Sequence, residues 1–355
     1  MEYRRLGNSG LRVSAFSFGT MTFGGTGMFA TMGNTDITEA RQQIDLCLAA
    51  GVNLFDTADV YSAGLSEEIL GKALGERRQQ VLIATKFLGR TGPGVNDKGA
   101  SRHHIINACE ASLRRLGTDY IDLYQIHNQD LVTPPDEIAR ALEDLVRAGK
   151  VRYIGACNHA GWTLMRSLAR ADHLGFTRYV SQQIQYSLLE RGAENELLPL
   201  GVQEGLGALI WGPLAGGYLT GKFRIRAPER KAPSRLEARD MLTTRDTERS
   251  RRIVDALDAI ACEREVSITQ VALNWIVRKP GISSVIIGAR TRAQLEDNLA
   301  AASWSLSDTE IARLDDVSAT PASYPYNMHH DFMPDLNPRA PLQPPISTPA
   351  GKRPA

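Results

Sequence analysis

Cysteine is scarce in this chain. The four among 355 residues, Cys47, Cys109, Cys157 and Cys262, are widely separated, form no CxxC pair and have no histidine at ligand spacing. That pattern argues against a disulfide framework and against a zinc site, and it fits a reducing compartment. An excess of one charge is missing too: 41 Lys and Arg stand against 40 Asp and Glu, a net +1. So even a balance argues against a partner recognised by its phosphates, whether nucleic acid or anionic membrane. No uncharged apolar run reaches the roughly 18 residues of a membrane span. The opening stretch, MEYRRLGNSGLRVSAF, lacks the apolar segment of a secretory signal. The expectation is a cytoplasmic protein with no metal. A composition of 43% hydrophobic and 23% charged residues excludes wholesale disorder. The length allows two or three domains, or a single α/β barrel.

What is present is an alternation of short apolar and amphipathic segments from about residue 15 to 302. Candidate strands are Ala15–Phe18, Val52–Phe55, Val81–Thr85, Ile121–Ile126, Val151–Ala156, Val180–Tyr186, Ala208–Trp211 and Val285–Ile287. Most are continuous apolar runs, as expected of parallel strands covered on both faces. Helical spacing recurs between them, for instance at Ile44, Cys47 and Leu48 and at Ile105, Cys109, Leu113 and Leu116. Ser101 is placed to cap the second of these helices and Gly117 to stop it. Pro135 opens another, with Gly149 just past its end. Eight strands, each followed by a helix-compatible segment, permit an open doubly wound sheet or a closed (β/α)8 barrel. Even spacing favours the barrel. Ahead of it, Tyr3–Leu6 and Leu11–Val13 read as a hairpin across the turn Gly7-Asn8-Ser9-Gly10.

Three stretches exceed a minimal barrel: a long loop at 22–37, a Gly-, Pro- and Arg-rich loop at 216–246, and a tail. Residues 1–318 read as the barrel domain and 319–355 as the tail, which from Thr320 holds nine of the seventeen prolines. Its first part, with Tyr324, Tyr326, His329, His330 and Phe332, is expected to pack near a site; its end is expected to be extended or disordered. Two short patterns mislead. Gly25–Ala30 matches the dinucleotide fingerprint GxGxxG/A, but turn residues follow where a helix should open directly. Gly216–Lys222 matches GxxxxGK, but Phe223 replaces the hydroxyl residue that would bind Mg²⁺.

Polar residues cluster where strands end. Asp56 ends the second strand, Lys86 the third and His127 the fourth, and Tyr61 lies in the loop after Asp56. Singly, each has an ordinary reading as a cap, a turn residue or a snorkelling side chain. In a barrel, all four converge on the face where active sites are built. A phenol of pKa ~10 is a poor acid-base group at neutral pH. An adjacent ammonium is expected to lower that pKa, and a carboxylate to hold the ammonium in place.

At these residues the sequence resembles the aldo-keto reductase superfamily. The likeness runs through FGTMTFGG at 18–25, GVNLFDTADVYSAGLSEEILGKAL at 51–74, LIATKF at 82–87 and SLRRLGTDYIDLYQIH at 112–127. It continues in GKVRYIGACN at 149–158, VSQQIQYSLLER at 180–191, WGPLAGGYLTGKF at 211–223 and IIGARTRAQLEDNL at 286–299, covering roughly residues 2 to 318. The resemblance implies a (β/α)8 barrel and reversible, NADPH-dependent reduction of an aldehyde or ketone. It assigns Asp56, Tyr61, Lys86 and His127 to the catalytic tetrad, with Tyr61 as proton donor.

The same likeness implies the cofactor contacts. Asn158 and Gln183 would hold the nicotinamide carboxamide, Trp211 would stack on its ring, and Gly19, Thr20 and Met21 would line the ribose beside Asp56. Gly212, Pro213, Leu214, Gly216 and Lys222 would wrap the pyrophosphate, and Gly288, Arg290, Gln294 and Asn298 would form the adenosine end. Some relatives carry a Lys where Gly288 stands. Phe23, Phe87 and Asn128, with Tyr324 or Tyr326, are expected to line the substrate pocket. Two other roles occur in such a superfamily: a cofactor-binding regulatory subunit of potassium channels, and an NAD-dependent alcohol or sugar dehydrogenase.

Overall fold

In the computed structural model, which describes residues 1–223, 236 and 242–332, eight parallel strands close into a barrel. They are β3 (Phe16–Gly19), β4 (Leu54–Asp56), β5 (Leu82–Phe87), β6 (Ile121–Ile126), β7 (Val151–Cys157), β8 (Ser181–Gln185), β9 (Gly207–Trp211) and β10 (Ile282–Ile287). Each pairs with its sequence neighbour, and β10 pairs with β3 to complete the ring. The eight expected strands are all present, displaced by a few residues at their ends. A helix follows every one, so each strand is buried inside and out, which is why the apolar runs are continuous.

Local signals fix the helix ends. Ser101 caps the helix Arg102–Leu116 by accepting the His104 amide at 3.3 Å, and Gly117 ends it with φ +63. The helix Pro135–Arg147 begins on its proline and ends before Gly149, at φ +71. Among the described residues, two long helices lie between β9 and β10 after a short one at Leu242–Arg245: Glu248–Arg264 and Ile268–Val277. Only the second returns directly to the barrel. The first packs against Asp308–Ser318, which follows the last barrel helix, Arg292–Ala300.

The N-terminal hairpin, β1 (Tyr3–Arg5) paired with β2 (Arg12–Ser14), plugs the end where the strands begin. Its Leu6 and Val13 join Leu54, Ala84, Leu123, Leu209 and Ile286 in one buried cluster inside the barrel. The plug sits very close to the strands. Gly7 has φ +60, and a Cβ there would lie 2.2 Å from the Gly205 carbonyl oxygen and 2.7 Å from the Gly207 amide.

The Gly25–Ala30 fingerprint forms a 3₁₀ turn, Gly27–Phe29, and the first barrel helix opens only at Ile37. The expected loop at 216–246 includes a 3₁₀ segment, Ala215–Thr220, and a short helix, Leu242–Arg245; its stretches 224–235 and 237–241 lie outside the described residues. In the tail, Tyr326–Phe332 is helical, and the Tyr326 hydroxyl hydrogen-bonds Glu196, on the loop after β8. The Pro-rich end from 333 lies outside the described residues. Among the described residues no helix is long and apolar enough to cross a membrane.

Candidate active site

Strand parity sorts the barrel interior into layers. Along β5, Leu82, Ala84 and Lys86 point inward, while Ile83 and Phe87 belong to the layer beneath the helices. The same alternation turns Leu54 and Asp56 of β4 and Leu123 and Gln125 of β6 inward. The interior is apolar over the hairpin and polar at the ends of the strands. At that polar end Lys86, fully buried, donates from Nζ to Asp56 Oδ1 at 2.5 Å, to the Thr57 carbonyl at 2.7 Å and to the Tyr61 hydroxyl at 3.4 Å. Asp56 Oδ2 accepts from Gln183 Nε2 at 2.8 Å and from Gln125 Nε2 at 3.4 Å. Four strands thus contribute to one buried network.

Tyr61 is presented by a tight turn. Ser62, Ala63 and Gly64 follow it with φ of 50, 57 and 93, three left-handed residues in succession. For the two that carry side chains this conformation costs about 1–2 kcal/mol each, and it is held by contacts around it. The Tyr61 ring packs edge-on to His127 at 5.8 Å between centroids and against Phe29 at 5.4 Å. The Lys86 ammonium lies 5.0 Å from the Tyr61 ring centre.

Burial pushes the Tyr61 hydroxyl above the ordinary phenol value, with the Lys86 charge opposing it and Asp56 adding to it. The expectation of a net downward shift is therefore corrected: desolvation of the phenolate outweighs the neighbouring ammonium. Burial also works against the Lys86 charge, but Asp56 and Tyr61 more than compensate, and the ammonium is held above its usual range. His127 moves the other way. Burial, with the repulsion of Lys86, lowers it to about 3, so the ring is neutral at physiological pH. The site therefore holds a protonated phenol, a neutral imidazole and a fixed ammonium-carboxylate pair.

Around this centre Asn158, with φ 53, accepts from Trp211 Nε1 at 2.9 Å and donates to the His127 carbonyl at 3.0 Å. Gly19 ends β3, where a Cβ would come 2.8 Å from Ile286 Cγ2. Thr20 is fully buried, and its hydroxyl engages the Asp56 carbonyl at 3.2 Å and Ser66 at 2.9 Å. It braces the Asp56 strand from behind; Met21 is half-buried. Past Trp211, the segment Gly212, Pro213 and Leu214 leads into left-handed Ala215, Gly216 and Gly217. A Cβ on Gly217 would lie 2.6 Å from Lys222 Nζ.

At the far end Arg290 donates to the Thr31 and Met32 carbonyls at 2.6 and 3.1 Å, and Gln294 accepts the Arg290 amide at 2.9 Å. Asn298 is buried and donates to the Gly288 carbonyl at 3.2 Å, holding that loop from within. A nicotinamide dinucleotide fits these residues. Two side-chain amides and a flat indole suit the nicotinamide end. A Cβ on Gly212 would make no closer contact than 3.8 Å, to Gln185 Cγ, and cations stand at Lys222 and Arg290.

Two expected pocket residues face elsewhere. Phe87 is fully buried and stacks on Tyr124 at 4.8 Å beneath the helices, because an inward Lys86 forces its neighbour outward. Phe23 is likewise fully buried, 6.0 Å from Phe18 in the same outer layer. Asn128 is exposed at the mouth, its Oδ1 accepting the Gln129 amide at 2.8 Å, and Tyr324 is exposed. The reading from sequence missed Phe29 and Gln125. For Gln125, inward parity with His127 was the available signal.

A closed (β/α)8 barrel with a buried Lys86–Asp56 pair beside half-buried Tyr61 and His127 at its strand ends defines a class. The chain belongs to the aldo/keto reductase family, whose model matches residues 15–319. It is an oxidoreductase of a family that uses nicotinamide cofactors. It is similar to "Uncharacterized oxidoreductase YrpG" of Bacillus subtilis, 42% identical over 88% of this chain and 94% of the relative. A "Probable voltage-gated potassium channel subunit beta" of Arabidopsis thaliana is 38% identical over 85% of this chain and 91% of the relative. "Versiconal hemiacetal acetate reductase" of Aspergillus parasiticus is 34% identical over 92% and 99%.

Proposed function

We propose that the protein reduces an aldehyde or ketone to an alcohol, reversibly, with NADPH as the hydride donor. The observation that carries this reading is the Lys86 ammonium, buried between Asp56 Oδ1 at 2.5 Å and the Tyr61 hydroxyl at 3.4 Å. When bound, the reduced nicotinamide supplies a hydride to the carbonyl carbon. Tyr61, kept protonated by burial, donates its proton to the carbonyl oxygen as negative charge develops there. Lys86 stabilises the resulting phenolate, and Asp56, steadied by Gln183 and Gln125, keeps that ammonium in place. Neutral His127 orients the carbonyl oxygen by a hydrogen bond. In the reverse direction Tyr61 acts as base. Asn158 and Trp211 hold the nicotinamide end. Preference for NADPH over NADH is supported by Arg290 at the start of the helix Arg292–Ala300, where a guanidinium and the helix dipole both favour a phosphate.

The test is Tyr61→Phe, with NADPH consumption measured on a panel of aldehydes and ketones. Loss of a general acid lowers turnover by roughly 10²–10⁴-fold; unchanged turnover refutes the acid role. The likeness to proteins named potassium channel beta subunits supports a second reading, a cofactor-binding regulatory subunit. That reading requires NADPH binding with very slow turnover of every carbonyl on the panel.

A further inference from the structure

The left-handed turn after Tyr61 does more than present the phenol. Ser62 is only 2% exposed, and its hydroxyl reaches across to the long loop that follows β3. It donates to the Phe23 carbonyl at 3.0 Å and accepts the Gly25 and Thr26 amides at 3.0 and 3.4 Å. The Thr26 hydroxyl returns a bond to the Ser62 carbonyl at 3.0 Å. The approach is close enough that a Cβ on Gly24 would meet Ser62 Cβ at 3.0 Å. From Thr26 the chain makes one 3₁₀ turn, its carbonyl accepting the Phe29 amide at 3.1 Å. That turn lays the half-buried Phe29 ring 5.4 Å from Tyr61. The aromatic residue beside the proton donor therefore hangs from the point where Ser62 grips the loop.

We propose that Ser62 is a positioning residue whose hydroxyl clips the 23–29 loop to the turn carrying Tyr61, seating Phe29 as a specificity-determining wall. The wall selects carbonyl substrates with a flat aryl group over small aliphatic ones. This rests on the carbonyl-reductase reading of the site. An aromatic face at the edge of the reacting oxygen favours an aryl substituent through ring-ring contact, whereas a short alkyl chain gains little from it. The left-handed geometry at Ser62 is retained because only that turn aims the hydroxyl at three partners of one loop.

The probes are 4-nitrobenzaldehyde and propanal. Phe29→Ala is expected to raise KM about tenfold for the aryl aldehyde and by less than about twofold for propanal. Ser62→Gly removes the hydroxyl together with Cβ and relieves the backbone conformation; Ser62→Ala removes the hydroxyl alone and keeps the strain. Both are expected to shift aryl discrimination in the direction of Phe29→Ala. Neither is expected to add to it in the double variant, since the two act as one unit. A difference between the two Ser62 variants, or additive effects, overturns the clip. A second readout needs no turnover: chymotrypsin should cut after Phe29 faster in Ser62→Gly than in the parent, and equal rates overturn the proposal. A parent that resists cleavage yet reduces neither aldehyde refutes the carbonyl-reductase reading and leaves the clip standing.

Discussion

Gln183 donates to Asp56 Oδ2 at 2.8 Å although the two residues lie 127 positions apart. The bond crosses the barrel interior and adds to the coordination of the carboxylate paired with Lys86. A buried ion pair of this kind is defined by both its members, and breaking it leaves the remaining charge buried without its counter-charge.

Lys86→Met leaves Asp56 buried without its counter-charge and should destabilise the fold by about 3–5 kcal/mol, read as a lower urea midpoint. Combining it with Asp56→Leu should recover most of that stability, because neither charge then remains. Activity should stay absent in both. A double variant no more stable than Lys86→Met refutes the pairing.

The pH dependence follows from His127. Its folded pKa, about 3, lies below the unfolded value of about 6.5. Between those limits the unfolded chain binds a proton that the folded chain refuses, so stability is full above pH ~6.5 and declines as pH falls towards ~3. His127→Asn should flatten that decline, measured as urea midpoints from about pH 7 to about pH 4. Carbonyl reduction should show no inflection near pH 6.5, and should fail on the alkaline side only above the usual phenol value, since burial raises Tyr61.

Arg290 spends two of its donors on the Thr31 and Met32 carbonyls and is the candidate partner of a 2′-phosphate. Arg290→Ala should weaken NADPH binding by roughly 10- to 100-fold, the worth of a charge-assisted hydrogen bond, and NADH binding far less. Fluorescence titration with the two cofactors measures the difference. Equal losses would assign Arg290 to holding the loop alone.

Gly7→Ala tests the hairpin plug. The added methyl would stand 2.2 Å from the Gly205 carbonyl oxygen, at a residue with φ +60. A loss of about 1–3 kcal/mol is expected, seen as a lower melting temperature, with KM for carbonyl substrates unchanged because the plug lies at the opposite end from Tyr61.

The amino-acid order alone determined the barrel's parts. Runs such as Val285–Ile287 are apolar throughout because they are enclosed on both faces, and Ser101, Gly117 and Pro135 punctuate helices by local backbone chemistry that needs no distant partner. Asp56, Lys86 and His127 were legible for the same local reason: a charged or polar residue closing an apolar strand stands out. Parity was legible as well: an inward Lys86 turns its neighbour Phe87 towards the helices. Only the closed tertiary structure decided the rest. Gln125 joins Asp56, and Ser62 grips a loop nearly forty positions earlier, because closing the ring brings those segments together. The phenol of Tyr61 is raised rather than lowered because burial outweighs the Lys86 charge, and desolvation belongs to the assembled fold and not to any stretch of chain.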